Sequence, residues 1–484
     1  MKKIISIICI FCCLASISIY TGCVKDENKI SEYKIDVVLE GNRIKGLEEF
    51  TYYNETECAI SQLKFNLYAN AFRKGAKYSP IGEQYISSAY KNGISYGDIQ
   101  ITSVTNGKEN LNYSVSGEDE NVLVVDLMAE IFPSEKTTVV IEYVITLANV
   151  IARTGINETT INLANFYPIL CAYTKDGFYE CVYYSSGDPY YSDCANYNVS
   201  FTCDNKYTVA TSGVEIKSKE YSNLIKRTYQ LKNARSFAIV VSENFEVITS
   251  KIDDITINYY FTYDQTPQKS MECIVDSLNT YREKFGEYLY SQYSVVQTEF
   301  MQGGMEFPAL VMISDDLEYS AHLEVIAHET AHQWWQTAVG NNEIEQPFLD
   351  EGLVEYSVVI FYETNPKYGL TRENIIKSCE NTYKTFCSVS DYIYGKTDTT
   401  MNRALNEYKS EYEYVNVAYV KGCLMFEHLR NFIKDKDFFD CLQAYYRKYS
   451  YKNATVDDLI SVFEKKSGDL IGFIQSFIEG KVII

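Results

Sequence analysis

Histidine is scarce in this chain, with four in 484 residues, so any two at ligand spacing carry weight. Basic side chains are also in deficit: 44 Lys and Arg stand against 65 Asp and Glu, a net charge of −21. That balance excludes a nucleic-acid-binding face, which needs concentrated positive charge. It favours basic or neutral peptides over acidic ones as partners, and it also keeps a secreted protein soluble. Ten of the fourteen cysteines lie beyond residue 23, and none of these ten stands in a CxxC pair. No Ser or Cys nucleophile motif, internal repeat or low-complexity tract is present.

Against this scarcity, two of the histidines stand in His328-Glu329-Thr330-Ala331-His332. Residues four apart lie one turn apart on one face of a helix, so His328 and His332 can bind one ion together. Glu329 sits where it can reach a water on that ion rather than the ion itself. Two histidines on a helix are also an ordinary helix face. A catalytic zinc site needs a third protein ligand and an open position. Eighteen residues intervene between His332 and Glu351, which lies in Phe348-Leu349-Asp350-Glu351-Gly352-Leu353. Acidic residues gather there ahead of an apolar run from Val358 to Tyr362, predicting the first turn of a second helix. A loop through Gly340-Asn341-Asn342 and Pro347 would let two antiparallel helices bring Glu351 against the imidazoles.

With that spacing the chain resembles the gluzincin peptidases and, within them, the aminopeptidase N-like family. Gly303-Gly304-Met305-Glu306-Phe307 is similar to the family's Gly-x-Met-Glu-Asn signature, departing at Phe307, where Asn is usual. The apolar run from Ala309 to Ile313 after it predicts a strand just before the zinc helix. The resemblance implies that Gly303, Gly304, Met305 and Glu306 bind substrate. The glycines would let a peptide backbone pair as an added strand. Glu306 would hold the free α-ammonium by a charge-assisted hydrogen bond, restricting cleavage to the N-terminus. The plain alternative for Glu306 is an exposed residue after a glycine turn. Tyr419-Val420-Lys421-Gly422 matches the family's Tyr-x-Lys-Gly element, whose tyrosine would hydrogen-bond the developing oxyanion. The chain holds 44 tyrosines, and Tyr414 nearby is the alternative donor.

The implied cofactor is one zinc ion on His328, His332 and Glu351, with a water whose pKa falls to about 7. Glu329 would act as general base and return the proton to the leaving amine. Glu355, one turn beyond Glu351, is a candidate for orienting an imidazole, or else part of a solvated helix face. Trp334 and Trp335 are the only tryptophans. They are expected to pack the zinc helix into the core, with one lining the substrate cleft as an option. His322 and His428 lack ligand spacing.

Residues 1–23 read as a secretion signal: Lys2-Lys3, an apolar run from Ile4 to Tyr20, then Thr21-Gly22-Cys23. The Gly22-Cys23 ending resembles a bacterial lipoprotein box, with Tyr20 where Leu is usual. Lipidation at Cys23 or an uncleaved signal anchor would each leave the protein exported and tethered to the outer face of a bacterial cytoplasmic membrane. Residues 24–32 form a polar tether.

The remainder is too long for a single core. The expected fold is α+β and multidomain. Residues 33–248 form an N-terminal all-β, saddle-like domain, punctuated by Asn, Gly, Asp and Ser clusters. Residues 249–484 form a thermolysin-like catalytic domain, mixed α/β passing to α-helical. Asn165-Phe166-Tyr167-Pro168 and Gly187-Asp188-Pro189-Tyr190 resemble turn-rich segments of bacterial family members. Many relatives continue into a C-terminal helical domain, expected to be absent here, which would leave the cleft less enclosed. Cysteines 171, 181, 194 and 203, 379 with 387, and 423 with 441 are open to pairing or to remaining buried thiols. The functional expectation is a zinc aminopeptidase acting on peptides with a free N-terminus. The alternatives are an inactive peptide-binding module, or a small-molecule hydrolase on the same scaffold, which would need a basic anchor for a carboxylate.

Overall fold

The computed structural model describes residues 29–467 and 471–482. The expected secretion signal, residues 1–23, and residues 24–28 of the expected tether lie outside the described residues.

Period-two alternation builds the first half. In the strand Glu32–Glu40, Tyr33, Ile35, Val37 and Leu39 are buried while Lys34 and Glu40 face outward. One-sided burial of this kind fixes register, because a slip of one residue would expose the apolar set. The strand pairs antiparallel with Arg43–Tyr53 and parallel with Ala195–Asp204. They form the middle of a seven-stranded sheet, flanked by Leu224–Ala234 and Val214–Tyr221 on one side and Lys136–Thr146 and Asp98–Thr105 on the other. Two four-stranded sheets and a two-stranded ribbon, Tyr173–Thr174 with Gly177–Phe178, complete this β half. Tyr33 stacks on Tyr197 with ring centroids 4.8 Å apart. Among these rings Glu48 is fully buried, and neither carboxylate oxygen has a hydrogen-bond partner. Burial pushes its carboxyl well above the usual carboxylate range.

The strand Glu246–Ile252 already belongs to the second half. It opens a five-stranded mixed sheet in the spatial order Glu246–Ile252, Ile255–Phe261, Gln292–Thr298, Leu310–Ser314, Gly304–Met305. Between the second and third of these strands runs helix α1, Pro267–Phe285, with Pro at its first turn and Gly286 just past its end. After the sheet come α2, Tyr319–Ala331, and α3, Phe348–Thr364. The amphipathic α4, Arg372–Tyr394, is followed by α5, Lys421–Ile433. A short helix, Glu411–Tyr414, leads through a wide π-helical turn, Val415–Val420, directly into α5. α3 is apolar nearly all round and has no charged face, as befits the helix that others surround.

Where α3 crosses α5 the backbones touch. A side chain on Gly422 would lie 2.5 Å from the Cα of Gly352, so only two glycines allow the approach. Trp334 and Trp335, fully buried, wedge the end of α2 against Phe285, Tyr445 and Tyr446. Their indole nitrogens donate to the carbonyl of Gly286 and the hydroxyl of Ser357. Neither tryptophan lines the cleft, which corrects that option: packing takes both rings inward. Seven of the ten described cysteines are buried.

Candidate active site

α2 ends at Ala331, so His328 sits in its last turn and His332 caps it. α3 begins at Phe348 and carries Glu351 in its first turn. The two helix ends face each other. The Nε2 atoms of His328 and His332 are 3.2 Å apart, and each lies 3.4 Å from Oε2 of Glu351. Three donors about 2.0–2.1 Å from a shared tetrahedral centre would stand about 3.3–3.4 Å apart. Glu351 Oε2 is buried and has no hydrogen-bond partner. Three lone pairs therefore converge at the spacing of a tetrahedral metal site. The donor set, two imidazoles and one carboxylate, suits zinc.

The other ring nitrogens are held. His328 Nδ1 lies 3.3 Å from Oε1 of Glu355, so the carboxylate one turn beyond Glu351 orients this ring. His332 Nδ1 lies 3.0 Å from the carbonyl of Trp335. A backbone acceptor leaves no trace in residue identity, and sequence reasoning missed it.

Glu329 is buried beside these groups, with Oε2 unpartnered. Burial raises its carboxyl to about 8; the charges of Glu306 and Glu351 add to the rise, and the imidazoles oppose it. Burial would lower His332, but the carboxylates of Glu306 and Glu351 outweigh it and bring the imidazole up to about 10. Glu351 moves the other way despite its burial, held well below the usual carboxylate range by the two imidazoles. Such a site demands positive charge, supplied by protons on the rings or by a cation between them.

Glu306 is buried at the edge of the sheet. Its carboxylate, that of Glu329 and a ring nitrogen of His332 lie within 4.8 Å of one another. The glycine edge has a steric cause, since a side chain on Gly304 would meet Glu329 Oε1 at 2.3 Å. Phe307 is buried, its ring centroid 6.4 Å from that of Tyr190. Its carbonyl accepts from Gln333 Nε2 at 3.2 Å, and Gln333 Oε1 accepts the amide of Ala309 at 2.9 Å. The side-chain amide of Gln333, just past the end of α2, thus holds the backbone of this segment, whatever side chain stands at 307.

The π-helical turn turns Tyr419 toward the metal position. Its hydroxyl donates to Glu351 Oε1 at 2.6 Å, and its ring stacks on His328 at 6.0 Å. Tyr414 lies edge-on to it at 5.4 Å, its own hydroxyl buried without a partner. Both tyrosines line a cleft of about 400 Å³ that also takes in Gly303, Gly304, Glu306, His328, Glu329, His332 and Glu351. His322 and His428 do not line it. The opposite wall comes from the β half: Tyr85 and the loop Ser185 to Asp188. There Arg153 forms a buried ion pair with Asp188 at 2.5 Å, while its Nε approaches the sulfur of Met305 at 3.1 Å. The Gly187-Asp188-Pro189-Tyr190 turn stood out in the sequence; Arg153 carried no signal.

Residues 269–479 match the peptidase family M1 domain. The chain is similar to aminopeptidase N of Streptomyces lividans, 24% identical over 211 residues, covering 41% of this chain and 24% of that protein. It is 25% identical over 210 residues to endoplasmic reticulum aminopeptidase 2 of Bos taurus, covering 43% of this chain and 20% of that one. The chain thus spans about a quarter of the length of the curated relatives it matches. In fold it is similar to an M1 zinc metallopeptidase from Deinococcus radiodurans, with a TM-score of 0.68, 16% identity, and 94% of each chain covered. A mutant of that protein bound to a Tyr-Ser-Ala substrate aligns with a TM-score of 0.65 and 16% identity, covering 94% of this chain and 95% of that one.

Proposed function

We propose that this chain, a member of peptidase family M1 through residues 269–479, is a zinc-dependent aminopeptidase. The observation that carries the reading is the triangle of His328, His332 and Glu351 donor atoms, 3.2–3.4 Å on a side, with Glu329 beside it. Zinc bound there supplies Lewis acidity toward a water and a substrate carbonyl.

The remaining chemistry belongs to the chain. Glu306, buried within reach of Glu329 and His332, holds the substrate's α-ammonium. That contact places the first peptide bond, and no later one, over the ligand triangle. The Gly303-Gly304 edge accepts the substrate backbone as a further strand of the sheet. Glu329, buried beside the ligand triangle with one carboxylate oxygen unpartnered, takes a proton from the attacking water and returns it to the leaving amine. Tyr419, whose hydroxyl bonds the Glu351 oxygen outside the ligand triangle, donates to the oxygen that becomes negative.

The cleft walls add Glu324, Glu355 and Glu411, which favour neutral or basic peptides. Arg153, the one arginine or lysine in that wall, is tied to Asp188 and offers no free anchor for a carboxylate. A small-acid hydrolase therefore fits less well. An inactive binding module would have no need of the intact set of ligands and base.

The test is a panel of amino-acid anilides with the purified chain, with and without a chelator, beside a metal analysis. Chelator-sensitive release from free-amine substrates is expected, and none from N-acetylated ones. Chelator-insensitive activity, or none at all from protein carrying stoichiometric zinc, would overturn the reading. We propose also that Cys23 tethers the exported protein to a membrane. Labelled palmitate should enter the full chain and not its Cys23→Ser variant.

A further inference from the structure

A chain of contacts leads from His332 into the β half. A neutral imidazole carries one N–H, so His332 can point a lone pair from Nε2 toward Glu351 and His328 only if its proton sits on Nδ1. The carbonyl of Trp335, 3.0 Å from Nδ1, enforces that tautomer and the ring's orientation. The direction of this carbonyl is set by the peptide joining Trp335 to Gln336. Gln336 has φ +118°, a backbone conformation that residues with side chains rarely adopt. Something must hold it there.

Within the turn the Gln336 amide donates to the Val339 carbonyl at 2.8 Å, and a further restraint comes from the first half of the chain. Arg235 is 4% exposed and donates from Nε to the carbonyl of Gln336 at 2.7 Å. Its other nitrogens donate to the carbonyl of Ser192 at 2.9 Å, to Oδ1 of Asn453 at 2.5 Å and to the carbonyl of Lys452 at 2.6 Å. A guanidinium with four neutral oxygens in fixed directions cannot shift without losing several bonds at once. The turn is shaped around it, since a side chain on Gly340 would lie 2.1 Å from the guanidinium carbon. Gln336 is tied further by its amide, which donates to Glu343 Oε1 at 2.9 Å.

We infer that Arg235 is a positioning residue for the metal centre, fixing through Gln336 and the Trp335 carbonyl the ring of His332. The inference rests on the zinc reading above. Arg235 touches neither substrate nor metal position; its work is to keep an unfavourable backbone turn from relaxing and turning the carbonyl away.

The test measures zinc affinity by chelator competition on the full chain, with the visible spectrum of the cobalt-substituted protein as a second readout. Arg235→Met should weaken zinc binding about 10–100-fold, the usual effect of losing an outer-shell partner, and change the cobalt band shape. Arg235→Lys keeps the charge in the same pocket, so it should fold, yet one ammonium cannot hold four oxygens; an intermediate loss is expected. Gln336→Gly added to Arg235→Met should recover much of the affinity, because glycine adopts a positive φ without restraint. An arginine that only glued the halves together would lower the melting temperature and leave affinity and spectrum unchanged. That result in both single variants overturns the proposal, as does a loss that glycine at 336 does not relieve. If the unaltered chain takes up no stoichiometric zinc, the proposed function itself has failed.

Discussion

Replacing Tyr419 with phenylalanine deletes one oxygen and keeps the ring, which stacks on His328 with centroids 6.0 Å apart and planes 9° apart. Packing is therefore preserved and the chemistry is isolated. The lost hydroxyl donates to Glu351 Oε1 at 2.6 Å, beside the point where the scissile carbonyl oxygen would gather charge. A donor of that kind is worth about 2.7–4 kcal/mol in the transition state, or roughly 10²–10³ in kcat. Since the bond strengthens as charge develops, KM should change little. Tyr414→Phe is the control. Its ring lies edge-on to Tyr419 in the same cleft and no hydrogen bond ties its hydroxyl to Glu351, so deleting it should leave kcat nearly unaltered. The assay is steady-state hydrolysis of one aminoacyl anilide by both variants, with zinc content measured beside it. A Tyr419→Phe enzyme retaining more than about a tenth of kcat would refute the assignment. So would a larger loss from Tyr414→Phe, which would transfer the role to that residue.

Three further outcomes follow from particular contacts. Glu306→Ala should abolish the preference for free-amine over N-acetylated substrates while zinc content stays stoichiometric; equal preference before and after removes Glu306 from the amine site. Glu48, its carboxyl raised by burial, makes folding take up a proton, so stability is fullest below about pH 4.3 and falls toward the folded pKa. The slope is at most about 1.4 kcal/mol per pH unit, and Glu48→Met should remove it; urea midpoints for the two proteins that differ equally at pH 5 and pH 8 would sink the argument. Lys421 is fully buried and donates to the carbonyls of Thr399 and Phe477, at 2.6 Å each. Lys421→Met leaves the Thr399 carbonyl unpaired, at about 1–3 kcal/mol, and takes from Phe477 one of two bonds, the other coming from the Gly480 amide, so it should lower the melting temperature by several degrees; an unchanged melting curve would contradict it.

The parts of this molecule legible in its sequence are those in which residue type and spacing do the physical work. Histidines four apart must share a helix face, and an acidic first turn before an apolar run must begin a helix. Glu351 therefore arrived where the motif placed it, and the alternation around Tyr33, Ile35 and Val37 told strand from helix. The Gly303-Gly304 edge was legible as a close approach, although that of Gly304 is to Glu329 as well as to any substrate. The options for the tryptophans were set by size alone, and burial decided between them. What stayed hidden depends on backbone direction or on pairs far apart in the chain. No pattern announces that the Trp335 carbonyl serves His332, or that Arg153 meets Asp188 thirty-five positions away. The Lys-Gly after Tyr419 could be matched to a motif, but its physical reason, Gly422 lying against Gly352, needs the crossing of two helices.

A further set of contacts runs from the β half into the second half. Arg153 and Asp188 brace the sulfur of Met305, next to Glu306. Arg235 braces the turn after His332. Tyr190 packs on Phe307, in the one position of the signature that departs from the family pattern. The proposed metal ligands and base are supplied by one half alone, whereas part of the restraint on the proposed substrate edge and on one imidazole comes from the other. A catalytic half expressed by itself would keep every ligand and lose those braces. Separating the halves should therefore cost zinc affinity and free-amine preference before it costs helix content. The β half thus acts as the frame that holds the active site to its geometry.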